Sequence, residues 1–358
     1  MKTKISVLIV LCVVAVFAAI GCKKSQPSGP GATSTPTINS TQTAITASTQ
    51  TVVAMATQTA VVVNATQTAV VVAVVQTAVA AETLFDSSVI VSVPGGTFTQ
   101  TDDSGTGGFS HTISAFKMGK YQVTYNLWYI VYHWAVANGY TFQNVGAEGI
   151  YETVGSAAPT TAKYQPVTYV SWRDVIVWCN AYSEKTGLTP CYTYLSAVIK
   201  DSTNATACDN AVCAWTNNGY RLPSEGEYQY ATSYINGSSW TPYNYASGAT
   251  ADYTNATATG LVAWYNANCS SPHAVGGKTA NALGLYDMSG NVAEWCWDWY
   301  GTYPGISTDY RGPASGSRRV LRGGSSYDYA YYLKVGIRFN DIPYSSFYYS
   351  GFRFARTY

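Results

Sequence analysis

The chain has 358 residues, a net charge of +1 and only 11% charged side chains, so it carries no electrostatic footprint for nucleic acid. Aromatic residues make up 14% of it and tyrosine alone fills 31 positions, a bias that in binding proteins supplies amphipathic contact area at small conformational cost. A tyrosine-rich core gives the same count, so position has to decide between the two.

Met1-Lys2-Thr3-Lys4 and the apolar run from Ile5 to Ile20 have the charged start and hydrophobic segment of a secretory signal. The run is short for a membrane span. It ends Ala19-Ile20-Gly21-Cys22, followed by Lys23-Lys24 and a Ser/Pro/Gly stretch, and this resembles a bacterial lipobox. Residues 1–21 are therefore expected to be a lipoprotein signal peptide. Cys22 is expected to carry lipid and to anchor the mature chain in the membrane of the cell envelope, on its outer surface.

Residues 22–40 contain almost no large apolar side chains and are expected to be a flexible tether. Over 41–83 a Thr-Gln-Thr-Ala unit recurs at intervals of eight or nine residues, with valine and alanine between. This low-complexity stalk predicts a helical rod able to self-associate. Asn64, Gln67 and Gln76 make a second membrane span through its valine clusters costly.

Residues 84–358 have the mixed composition of one large globular domain. Ser171-Trp172-Arg173-Asp174 precedes an apolar face through Val175, Trp178 and Cys179, and Ser224 is followed three residues later by Glu227; both read as helix starts, the second as a capping box. Elsewhere Gly, Asn, Ser and Tyr separate short apolar pieces, which predicts an α+β domain with much irregular loop. Cys179, Cys191, Cys208, Cys213, Cys269 and Cys296 stand in this domain. Export permits disulfides, and Cys208 and Cys213 share one polar insert, although spacing alone does not choose the pairing. With no second short-spaced pair and no nearby histidine, zinc is not expected.

Seven motifs stand in order: Val93-Pro94-Gly95-Gly96-Thr97-Phe98, Tyr121-Gln122-Val123-Thr124, Pro166 to Trp172, Tyr220 to Glu227, Gly284 to Trp295, Arg322-Gly323-Gly324-Ser325 and Gly351-Phe352-Arg353. Together they resemble the formylglycine-generating enzyme (sulfatase-modifying factor) domain, over residue 90 to the end. The resemblance implies a C-type-lectin-like fold with little regular secondary structure. The family's oxidase chemistry implies a copper-bound thiolate pair shortly after the Gly-Gly-Ser motif, where this chain has Asp328 and Leu333. Neither supplies a thiolate and no cysteine follows Cys296, so copper is not expected. Another branch uses histidines with iron, but His111, His133 and His273 are isolated in sequence.

Within 326–350, Tyr327, Asp328, Tyr329, Tyr331, Tyr332, Ile337, Phe339, Asn340, Asp341, Tyr344, Ser345, Phe347, Tyr348 and Tyr349 are all encodable by pyrimidine-ending codons reachable from an asparagine codon through its adenines. Ala330, Leu333, Val335, Arg338 and Pro343 read as fixed spacers. This arrangement resembles the variable region of a diversity-generating retroelement target protein of the treponemal surface-lipoprotein type, and it implies that those fourteen side chains form a ligand-binding surface. Phe352 and Phe354 are assigned to the core.

The same resemblance implies a structural Ca²⁺ held by Asp287, the carbonyls of Gly290 and Val292, and Glu294, a hard-cation donor set. The alternative is that Asp287 caps the turn and Glu294 pairs with a basic side chain. The functional expectation is a non-catalytic binding lipoprotein whose tail sets specificity for a protein or glycan on another cell or phage. A divergent enzyme of altered chemistry and a structural or adhesion lipoprotein remain as alternatives.

Overall fold

A computed structural model describes residues 89–105, 107–149 and 158–358. The expected signal peptide, Cys22, tether and stalk lie outside the described residues.

The helices in chain order are α1 (Tyr125–Ala137), α2 (Trp172–Lys185), α3 (Ala205–Asp209), α4 (Glu225–Ser233) and α5 (Ala256–Val262). The strands are β1 (Ile90–Val93), β2 (Gly96–Gln100), β3 (Phe109–Ile113), β4 (Phe116–Gly119), β5 (Ala147–Glu148), β6 (Val167–Thr168), β7 (Tyr192–Tyr194), β8 (Ala197–Val198), β9 (Val212–Cys213), β10 (Ala293–Trp299), β11 (Ser307–Thr308), β12 (Arg319–Arg322), β13 (Phe339–Asp341), β14 (Ser350–Gly351) and β15 (Ala355–Arg356). Most strands have five residues or fewer, and long loops separate them, as the scatter of turn-forming residues predicts.

Both expected helix starts are real, and each is a full capping box. At α2 the Ser171 amide donates to Asp174 Oδ2 at 3.0 Å and the Asp174 amide to Ser171 Oγ at 3.2 Å. At α4 the Ser224 amide donates to Glu227 Oε2 at 2.8 Å and the Glu227 amide to Ser224 Oγ at 3.1 Å. These exchanges satisfy amide donors that a helix N-terminus otherwise leaves unpaired. Helix α2 packs on α1 through Trp178 and Trp128, whose rings stack at 5.8 Å. The edges of Phe352 meet both rings, and Phe352 and Phe354 are fully buried as expected.

The sheet that positions the C-terminal segment has the order β13-β12-β10-β14. β10 runs antiparallel to β12 and parallel to β14. The segment after β12 thus returns as one edge strand, crosses, and closes the opposite edge. The other strands form the three-stranded sheets β1-β4-β15, β11-β3-β2 and β8-β7-β9 and the pair β5-β6.

All six cysteines of the described domain are free thiols. Cys208 is not bridged to Cys213; its Sγ faces the Asp201 carbonyl at 3.5 Å. Among the described residues no helix is long and apolar enough to cross a membrane.

His111 on β3 is a core histidine. Tyr310 N–H donates to its Nε2 at 2.9 Å, which leaves Nδ1 to donate to Gln100 Oε1 at 2.6 Å. Burial pulls its pKa from 6.5 down to about 4, against the opposing pull of Asp309, Glu225 and Glu227. The folded state thus binds fewer protons than the unfolded chain between those values. Stability is therefore lost as pH falls below 6.5 and the loss is complete below about 4, a contribution of about 3 kcal/mol. Urea titrations across this range should show a shallower pH slope for His111→Gln than for the wild type; equal slopes would remove His111 as the cause.

Candidate ligand-binding face

The segment that follows β12 is fixed from beneath by charge. The turn needs Gly323 and Gly324, at φ of 91° and 71°, where a Cβ would meet Tyr228 Oη at 2.6 Å and the Tyr332 carbonyl at 2.7 Å. Ser325 follows, and its amide and hydroxyl donate to Asp328 Oδ2 at 2.8 and 2.7 Å. A short 3-10 helix runs over Ala330–Leu333, tied down where Ser289 Oγ donates to the Leu333 carbonyl at 2.8 Å. The Arg322 guanidinium then gathers the carbonyls of Val335, Gly336 and Ile337. Arg338 is held by Glu225 at the start of α4 through bonds of 2.6 and 2.7 Å. Glu225 also lies 3.9 Å from Arg322.

On this frame the expected binding residues divide by exposure. Tyr329 is 68% exposed, Tyr344 51%, and Tyr331 and Tyr332 39% each. Tyr327, Asp328, Phe339, Asn340, Asp341, Ser345, Phe347, Tyr348 and Tyr349 are half-buried. Ile337 is 5% exposed, and its assignment to the face is corrected: it closes the turn whose carbonyls Arg322 collects and points into the protein. The spacers Leu333, Val335 and Pro343 are buried, while Ala330 and Arg338 are half-buried like most of the variable positions. Asp328 faces its own turn. Burial raises its pKa even though Ser325 hydrogen bonds act to lower it, and its part is as much a cap as a contact.

The exposed and half-buried rings form two contiguous sets. Tyr331 meets Tyr332 edge-on at 5.3 Å, and Tyr332 meets Phe339 at 5.9 Å. Tyr348 meets Tyr327 at 4.8 Å and Tyr349 at 5.1 Å, and Tyr349 stacks on Phe347 at 4.9 Å. Tyr253 and Tyr169, outside the segment, complete the two sets, and sequence reasoning did not find them. Tyr253 packs on Tyr331 at 5.4 Å, Lys334 Nζ lies 3.6 Å from the Tyr331 ring centre, and Tyr169 faces Tyr348 at 6.4 Å. Tyr253 stands in no motif and Tyr169 stands in the Pro166–Trp172 motif without a signal of binding; only tertiary placement brings both here.

The oxidase arrangement does not fit this site. Leu333 is fully buried and Asp328 is engaged with Ser325, so neither position presents a thiolate. The fold does bring Cys269 beside the segment, 3.9 Å from the Ser326 carbonyl, but that is one thiol, with its pKa raised by burial. His111, His133 and His273 stand apart: His111 is in the core, His133 packs on Tyr129 at 4.2 Å, and His273 stacks on Trp264 at 3.9 Å.

Of the expected calcium ligands, the Gly290 and Val292 carbonyls and Glu294 come together around the side chain of Gln122, joined by the backbone carbonyl of Asp287 while its carboxylate turns to Gly276. The carbonyls of Asp287, Gly290 and Val292 and Glu294 Oε1 lie 3.1, 3.3, 2.9 and 2.9 Å from Gln122 Nε2, whose two N–H groups they share as acceptors. A calcium ion would draw such oxygens to about 2.3–2.6 Å. Glu294 is also bound by Arg353 at 2.6 and 2.8 Å, and the Asp287 carboxylate accepts from the Gly276 amide at 2.8 Å. An amide donor and a buried guanidinium thus face the oxygens expected around the cation, and Gln122 Oε1 is left buried without a partner. Chelator should leave the wild-type melting midpoint unchanged. Gln122→Glu adds an unpaired carboxylate to an acceptor cluster and should cost about 3 kcal/mol or more, with added calcium restoring part of the loss. A wild-type midpoint that falls on chelation would refute this arrangement.

A family model described as the sulfatase-modifying factor enzyme 1-like domain matches residues 75–358. A protein called chaperone protein LppX from Paenibacillus barcinonensis is 32% identical over 241 residues, covering 60% of this chain and 72% of its own length. The formylglycine-generating enzyme of Thermomonospora curvata is 39% identical over 84 residues, which cover 21% of this chain and 28% of the enzyme. Among solved structures, Treponema denticola variable protein 1 superposes with a TM-score of 0.60 at 31% identity, covering 75% of this chain and 95% of that one. CarF also reaches 0.60, at 26% identity over 75% of this chain and 98% of its own. With its seven motifs assembled into one α+β domain, the chain belongs to the sulfatase-modifying factor enzyme 1-like family, and its fold is that of the Treponema denticola variable protein.

Proposed function

We propose that this chain is a non-catalytic, surface-displayed binding lipoprotein whose C-terminal aromatic face takes a protein or glycan ligand. The observation that carries the reading is the contrast within one segment: Tyr329, Tyr331, Tyr332 and Tyr344 are exposed while Arg322 and Glu225 fix the backbone beneath them. Exposed tyrosines present large surfaces with two torsions and a polar tip, and a rigid frame lowers the entropy lost on binding. Likeness to a variable protein supports a segment that changes between alleles under a diversity-generating retroelement. The lost thiolate positions count against the oxidase reading, Cys22 and the signal-like start favour lipid anchoring in the cell envelope, and the stalk would hold the domain away from the membrane and permit self-association.

Exchange of residues 326–350 between two alleles tests the proposal. Array binding to proteins and glycans should follow the transplanted segment. Binding that stays with the recipient scaffold would place specificity elsewhere.

A further inference from the structure

A cleft of about 670 Å³ lies between the segment 209–215, β10 and the loop 311–319, with Tyr344 at its rim. Two arginines in its lining lie over tryptophan rings. The Arg319 guanidinium, 1% exposed, is 3.4 Å from the Trp299 ring centre and 3.6 Å from that of Trp172. Its Nη1 donates to the Trp297 carbonyl at 2.6 Å, while its Nε is buried without an acceptor. Arg311 lies 3.9 Å over Trp215. Neither arginine has an ion-pair partner among the described residues. The carboxylate of the lining, Asp209, is already engaged by Arg173 at 2.6 and 2.9 Å.

A guanidinium lying over a ring still donates from those N–H groups that no acceptor engages, and its fork matches carboxylate, sulfate or phosphate oxygens. Burial pulls the Arg319 pKa down to about 9, and the nearby Asp209 and Asp298 carboxylates offset only part of that. Such a charge is stabilised by an arriving anion. The cleft is also larger than a bare ion needs, since pockets of about 300–1,000 Å³ hold small organic ligands. Asn210, Ser315 and Ser317 in its lining offer amide and hydroxyl partners for a polyol.

We propose that this cleft binds an acidic saccharide, with its carboxylate or sulfate oxygens on the edges of Arg311 and Arg319 and its hydroxyls on the polar loop. The site is built from residues outside 326–350 apart from its rim at Pro343 and Tyr344, so it stands independently of the tyrosine face. Because Trp215, Trp297 and Trp299 line it, tryptophan fluorescence reads its occupancy. Glucuronic acid titrated at constant ionic strength should give a saturable change, and glucose none. Arg311→Ala should weaken binding by about tenfold or more and Arg311→Lys by less, because lysine keeps the charge but loses the fork; a melting curve checks that each variant is folded. The proposal is overturned by an unsaturable response to glucuronic acid, by unchanged affinity in folded Arg311→Ala, or by sodium sulfate binding as tightly as glucuronic acid, which would make the cleft a simple ion site.

Discussion

Glu225→Ala should lower the unfolding free energy by about 3–5 kcal/mol, because removing one partner from a buried ion pair leaves the other charge uncompensated. Here it leaves two. Glu225 is 3% exposed, binds Arg338 through both carboxylate oxygens, lies near Arg322 and accepts from the Tyr303 hydroxyl at 3.2 Å. Arg338 enters the tyrosine segment, and Arg322 holds the carbonyls of residues 335–337. The substitution should therefore also speed hydrogen exchange across 330–340 beyond its effect on the rest of the domain. Urea unfolding measures the first effect and exchange the second. A loss below about 1 kcal/mol, the scale of a surface pair, would show that the clamp does not hold the segment.

Alanine at Tyr331 or Tyr332 should do the opposite. These rings are exposed, so stability should change by no more than about 0.5–1 kcal/mol, the edge contact with a neighbouring ring being the main loss. Binding of a cognate ligand should weaken by about 2 kcal/mol or more, as for a central aromatic anchor. Tyr329, more exposed and without a ring contact among the described residues, should lose less when the same ligand is measured. Calorimetric titration of folded variants separates the two effects. If alanine at these rings removed stability and left binding intact, the tyrosines would be packing groups and the adhesion reading would gain.

Much of this was legible in the sequence because it is local. The Ser224–Glu227 capping box, the order of the seven motifs and the inward placement of Phe352, Leu333 and Pro343 depend on neighbours in the chain. What was not legible depends on partners far apart. Gln122 reaches oxygens more than 160 positions away, so the family's cation ligands alone did not point to the amide that faces them. Glu294 pairs with Arg353 across 59 positions, which was weighed as an alternative but had no spacing to support it. Ile337 matched the pattern of the variable positions and yet is buried, because a codon pattern does not report which way a turn faces. Tyr169 and Tyr253 joined the face with no local signal of binding, and the arginine–tryptophan cleft assembles stretches far apart in the chain.

The central claim, a varying aromatic face on a fixed scaffold, is tested most directly by sequencing this gene in sister isolates. Substitutions should concentrate at Tyr327, Tyr329, Tyr331, Tyr332, Phe339, Asn340, Asp341, Tyr344, Ser345, Phe347, Tyr348 and Tyr349. Leu333, Val335, Arg338, Pro343, Arg322 and Glu225 should stay constant, and position 337 should stay apolar. An unchanging tail, or changes spread evenly over the domain, would contradict the account.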